Sequence, residues 1–174
     1  MWNGSFDTLN VAGLAYDGAS GFSLFGWVKI NVEELCGVGP KIYLNIDGSN
    51  DIEIEFANNA NAGNAFASWF SNPEIGPNGD MFDDVTVGVW QFFHLFYDPL
   101  LTKIGFSVNN GANQYSAAGI VFPASATGSF QFGSLTAITI DVTFDEIGVK
   151  MDDMLTAAEV TYLYNAGAGR TWPL

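Results

Sequence analysis

Basic residues are scarce in this chain. Lys29, Lys41, Lys103, Lys150 and Arg170 stand against nineteen acids, for a net charge of −14. Phosphate recognition rests on clustered Lys and Arg, so no nucleic-acid partner is expected. An anionic membrane surface is disfavoured for the same reason. Cysteine is almost absent: Cys36 has no second thiol to pair with, which excludes an internal disulfide and leaves a small buried thiol as its reading. No apolar run approaches the roughly 20 residues of a membrane span, so no membrane insertion is expected. No basic and apolar leader follows Met1; the expectation is a chain with no signal peptide, extracellular only by an unrecognised route.

What the chain has is apolar and aromatic surface to bury. Hydrophobic residues make up 48% of its 174 residues, aromatics 15% and charged residues 14%. Disorder needs the reverse balance, and the length suits one domain, 1–174. Apolar residues alternate with period two in "FSLFGWVKI", "KIYLNI", "DIEIEF", "VWQFFHLFYD", "KIGFSVNNG" and "AITIDVTFDEIGVK". Twenty glycines, with many Asn, Ser and Asp, punctuate these runs. Frequent strands between turn signals predict an all-β, antiparallel sandwich or jelly roll. Residues 57–84, rich in Asn, Gly and Pro, read as a long excursion or a set of short edge strands. One helix is expected over "LTAAEVTYLYN", from Leu155 to Asn165. Thr156 and Glu159 form a capping box, and Val160, Leu163 and Tyr164 form an apolar stripe. Gly167 and Gly169 are expected to stop the helix, which reads as a plug at the end of the sandwich.

Three stretches together resemble the laminin-G-like, concanavalin-A-like jelly-roll superfamily. "GFSLFGWVKI" is similar to its early strand. "GVWQFFHLFYDPLLTKIGFSVNNG" is similar to its central hairpin, and "TFDEIGVKMDDMLTAAEVTYLYNAG" to its ending of an Asp-Glu strand and a capped helix. The resemblance implies a single laminin-G-like sandwich with one short C-terminal helix. Where the family often has His two residues after the hairpin Trp, this chain has Phe92, with His94 two positions further along. A lone His in an aromatic strand reads as structural, and Trp90 and Phe92 read as core.

The same jelly roll hosts β-glucanases, and "DIEIEF" resembles their catalytic strand, in which alternate carboxylates flank a glycosidic bond. Here the order is Asp51, Glu53, Glu55. That shortens the nucleophile position and lengthens the central one, disturbing a carboxyl spacing that retaining chemistry sets at about 5–5.5 Å. The stronger reading is a half-exposed strand, with Ile52, Ile54 and Phe56 buried and the acids in water. Pairing like with like sets Ile46 opposite Ile52 and closes the hairpin with Gly48, Ser49 and Asn50. Asp47 and Asp51 would then face each other across the tip, which favours a cation. Asp47, Ser49, Asp51 and Glu53 offer the hard oxygens calcium takes, and Asp80, Asp83 and Asp84 form a second acidic cluster. No cofactor is required; calcium is the one candidate. Trp69 and Phe70, beside a turn-rich segment, are candidate glycan-stacking residues.

These features point to a non-enzymatic structural or adhesion module. The first expectation is a virion surface component, such as a capsid decoration or tail-fibre protein, in contact with other proteins of an assembly, surface glycans or further copies of itself as a homo-oligomer. The alternative is a stand-alone, lectin-like carbohydrate-binding module, calcium-dependent if the acidic clusters bind. A glycosidase on Asp51, Glu53 and Glu55 ranks last.

Overall fold

The computed structural model describes residues 9–16, 19–31, 41–45, 51–59, 63–71, 81–84, 86–116, 119, 126–133 and 142–169. Their strands form two antiparallel sheets. β1 (Leu9–Tyr16), β10 (Ala126–Gly133), β3 (Lys41–Asn45), β4 (Asp51–Asn59), β5 (Gly63–Ser71) and β6 (Met81–Asp84) make a six-stranded sheet in that spatial order. β11 (Val142–Lys150), β2 (Phe22–Ile30), β7 (Gln91–Asp98), β8 (Lys103–Val108) and β9 (Gln114–Tyr115) make a five-stranded one. The architecture is the antiparallel jelly-roll sandwich that the alternation predicts. The described residues of 57–84 form the end of β4, all of β5 and the strand β6.

The central strands β2, β7 and β8 of the five-stranded sheet are buried on both faces, which explains why both alternation phases of β2 and β7 are rich in apolar and aromatic residues. One alternation phase aligns Phe22 with Tyr97, Leu24 with Leu95, and Phe106 with Leu95 from the other side. These side chains are all at most 4% exposed. The other phase aligns Ser23, Phe25 and Trp27 with Phe96, His94 and Phe92, also buried. A sheet whose second face met water would show polar residues there; here a helix covers it.

That helix is α1 (Ala157–Tyr164). Its capping box forms as the sequence predicts: the Glu159 amide donates to Thr156 Oγ1 at 3.2 Å, and the Thr156 amide donates to Glu159 Oε2 at 2.6 Å. Lys150, at the end of β11, ties the box to the sheet through Glu159 at 3.2 Å. Val160 and Leu163 bury against Phe25, Trp27, Phe92 and Leu155, and Tyr164 stacks on Trp27 with ring centroids 5.9 Å apart. Each such aliphatic side chain contributes about 1.5–3 kcal/mol when fully buried. Two expectations are corrected. The helix lies across the outer face of the five-stranded sheet rather than plugging an end, because Trp27 and Phe92 give its stripe an apolar floor. It also stops at Asn165, which takes the left-handed conformation at φ 46°, before Gly167 is reached; Asn tolerates that region through its short polar side chain.

Trp90 is a further correction. Strand β7 begins only at Gln91, after a turn in which the Gly88 amide donates to the Ile30 carbonyl at 2.7 Å. Trp90 therefore falls outside the ladder and is 39% exposed, with Lys29 Nζ 6.0 Å from its ring centroid. Phe92 is core, as expected.

Candidate functional site

The register of the six-stranded sheet decides which sequence candidates share a level. Asn10 is opposite Gln131, Gln131 opposite Tyr43, Tyr43 opposite Glu53, and Glu53 opposite Trp69. Five adjacent strands thus carry a row of polar and aromatic residues. In the next level of the same phase, Ser129, Asn45, Asp51 and Ser71 line up. The intervening row is apolar throughout: Val11, Phe130, Leu44, Ile52 and Phe70. Because alternate residues of a strand face opposite sides, two consecutive residues, Trp69 and Phe70, belong to different phases of the sheet.

The expected β3–β4 pairing is corrected by two residues. Leu44, not Ile46, stands opposite Ile52, and Asn45 rather than Asp47 stands opposite Asp51. A shift of two preserves the phase, so every apolar residue still meets an apolar one. The observed register also sets Lys41 opposite Glu55, an opposite-charge pairing that favours it. The facing of Asp47 and Asp51 that motivated a cation at the tip is therefore lost. Asp47, Ser49 and Asp80 lie outside the described residues. Asp83 and Asp84 pair with Phe66 and Ala65, and Phe66 pairs with Phe56, five positions along β4 from Asp51. At about 3.4 Å per residue the Asp83 level lies roughly 17 Å along the strand from Asp51 and roughly 10 Å from Glu53, so one ion with ligands at about 2.3–2.6 Å cannot join the two sets. Among the described residues no group of three His, Asp, Glu or Cys converges to hold a metal.

His94 lies in the buried phase of β7 facing α1. Its Nε2 is 3.0 Å from Ser23 Oγ, which also accepts the Leu155 amide at 2.8 Å. The imidazole stacks on Phe96 with centroids 4.8 Å apart. Burial lowers its pKa to about 3, so it is neutral near pH 7. Its hydrogen bonds link β2, β7 and the segment leading into α1, which agrees with the structural role read from sequence. Sequence reasoning missed Ser23, whose partners lie 71 and 132 residues away.

No family model matches the sequence, and no curated protein matches it. Among solved structures, the chain is similar to a heptameric SAP-like pentraxin from Limulus polyphemus, at TM-score 0.64 and 10% identity over 97% of this chain and 80% of that one. It is similar to the carbohydrate recognition domain of Emp46p in its potassium-bound form, at TM-score 0.59 and 9% identity over 88% and 82%. It also matches part of a Trypanosoma rangeli sialidase, at TM-score 0.58 and 14% identity over 87% of this chain and 24% of that one. These likenesses show the concanavalin-A-like jelly-roll fold. Among the described residues no helix is long and apolar enough to cross a membrane.

Proposed function

We propose that the domain is a carbohydrate-binding module that takes a neutral glycan on the six-stranded sheet, at the row of Asn10, Gln131, Tyr43, Glu53 and Trp69. The register carries this reading, because it brings two aromatic residues and three hydrogen-bonding ones to one level of five adjacent strands. Sugars ask for that combination: an aromatic face for the C–H side of the ring and directional polar groups for the hydroxyls. The net charge of −14 disfavours anionic glycans. A carbohydrate recognition domain among the structural neighbours supports the lectin-like alternative over the virion component that the sequence reading put first. Multimeric display, as in the heptameric pentraxin, would add avidity to weak single sites.

A binding role without catalysis is part of the proposal. The order Asp51, Glu53, Glu55 shortens the nucleophile position and lengthens the central one relative to the β-glucanase strand, which disturbs the carboxyl spacing that retaining chemistry needs. Calcium stays a candidate ligand of the acidic positions Asp51 and Glu53.

The test is a glycan array read with calcium and with chelator, on the wild type and on Trp69→Ala. Binding to neutral glycans that Trp69→Ala loses at unchanged melting temperature supports the site. Binding retained in that variant removes it. Chelator sensitivity supports calcium, and its absence together with an unchanged melting temperature in millimolar calcium removes the metal.

A further inference from the structure

We infer a second ligand site, for a single neutral polyhydroxylated ring, in the cavity between the five-stranded sheet and the segment that enters α1. The site uses none of the residues of the six-stranded sheet, so it stands or falls separately from the reading above. The cavity holds about 250 Å³, with His94, Phe96 and Asp98 of β7 along one side and Tyr115, Ala157 and Val160 around it. Drug-sized ligands occupy pockets of roughly 300–1,000 Å³; this one has room for one ring and not for an oligosaccharide.

The hydrogen-bond network says what the ring must carry. Ser23 is fully buried and its Oγ accepts the Leu155 amide. Its own proton needs an acceptor, and among the described residues His94 Nε2 stands at 3.0 Å to take it. The ring proton of this neutral imidazole is thereby assigned to Nδ1. Among the described residues that donor has no protein partner, although the side chain is 4% exposed and lines the cavity. That nitrogen opens on the cavity, where a donor takes an oxygen from water or from a ligand hydroxyl. At the other end, Asp98 Oδ1 accepts the Leu100 and Leu101 amides at 2.9 and 3.1 Å, which leaves Oδ2 as an acceptor. The Asn113 amide also lines the cavity and makes no hydrogen bond among the described residues.

A hydroxyl both accepts and donates, so one ring can satisfy the Nδ1 donor at one edge and Oδ2 at the other. His94 and Asp98 are four positions apart on β7, in the same alternation phase and roughly 13 Å apart along the backbone, and both line the cavity. The C–H surface of the ring would lie against Val160 and the Tyr115 aromatic, which meets Phe96 edge to face at 5.8 Å. Charged ligands fit less well. Among the described residues no Lys or Arg lines the cavity to receive an anion, and the Nδ1 donor opposes a cation. Burial keeps His94 from taking a proton that would change this pattern.

The experiment titrates the full chain with glucose, galactose and N-acetylglucosamine to tens of millimolar, with glucuronate and choline as charged controls. Binding is read from backbone amide shifts and from the His94 imidazole nitrogens. The expected result is saturable shifts at His94, Asn113, Tyr115 and Val160 with at least one neutral sugar and with neither charged probe. They should persist in Trp69→Ala and disappear in Ala157→Trp, which fills the cavity from an exposed helix position. If Ala157→Trp does not fold, Tyr115→Ala takes its place, with at least fivefold weaker binding expected. No shifts at these residues, shifts with the charged probes alone, or binding unchanged in the cavity variants would overturn the proposal. Loss of every sugar response in Trp69→Ala would also overturn it while leaving the first site standing.

Discussion

Ser23 and His94 meet at 3.0 Å across β2 and β7, 71 residues apart in the chain. Through the Leu155 amide, 2.8 Å from the same hydroxyl, the pair anchors the segment that leads into α1. This contact joins the sheet to its helix and places an imidazole in a site that keeps it uncharged.

Acid should destabilise the fold through His94. Burial lowers its pKa from 6.5 to about 3, so between these values the unfolded chain binds the proton and the folded one does not. Stability then falls by about 1.4 kcal/mol per pH unit as pH drops below about 6.5, levelling off near 3. Chemical denaturation at pH 7, 6 and 5 should show this slope in the wild type. His94→Gln should lose it, and equal slopes in both proteins would contradict the assignment.

Ser23→Ala removes one hydroxyl and leaves two partners, the Leu155 amide and His94 Nε2. Each buried group left without a hydrogen bond costs about 1–3 kcal/mol. The variant should be clearly less stable in urea, with faster amide exchange at Leu155 than the global loss accounts for. Unchanged exchange at Leu155 would argue against the anchor.

Gly105→Ala should destabilise, because a methyl there would meet the Phe96 ring, which lies over this glycine from the neighbouring strand. Overpacking of this kind costs about 1–3 kcal/mol. Adding Phe96→Leu should recover part of the loss, a coupling that a double-mutant cycle measures. Additive effects would show that the ring and the glycine are independent.

Thr156→Ala removes the side-chain half of the capping box. The loss should be about 1 kcal/mol. The Thr156 backbone amide holds the Glu159 pKa down, assisted by the Thr156 hydroxyl and Lys150 against the opposing effect of burial. A depressed carboxylate stabilises above its unfolded pKa and loses that contribution as pH falls through the folded one. The wild-type advantage over Glu159→Gln should therefore be present at neutral pH and shrink towards acid, as read by thermal melts at pH 7 and pH 3.

Trp69 and Phe70 should separate by effect. Trp69 shares its row with Glu53, and Phe70 shares its row with Ile52. Trp69→Ala is expected to lose sugar binding with little change in melting temperature, and Phe70→Ala to lower stability first. Equal destabilisation by both would undercut the assignment of the polar row as the binding face.

Much of this fold is legible locally. Alternation places the strands, and Thr156 with Glu159 fixes the helix start, since both signals act within a few residues. The two phases of β4 are equally readable, because Ile52 and Ile54 alternate with the acids. Which residues meet across strands is a different matter. Pairing Ile52 with Leu44 or with Ile46 keeps every side chain on its own side of the sheet, so hydrophobic pattern alone cannot choose between them. Closure of the sheet, with Lys41 set opposite Glu55, makes that choice. The candidate row is legible only after it, because Asn10, Gln131, Tyr43, Glu53 and Trp69 come from five separate strands. The same holds for Ser23, His94 and Leu155, whose hydrogen bonds form only once the helix segment lies on the sheet. The sequence by itself determined which stretches become strands or helix and which residues seek burial. Tertiary structure decided their partners, because burial preference specifies a face and only packing specifies a neighbour.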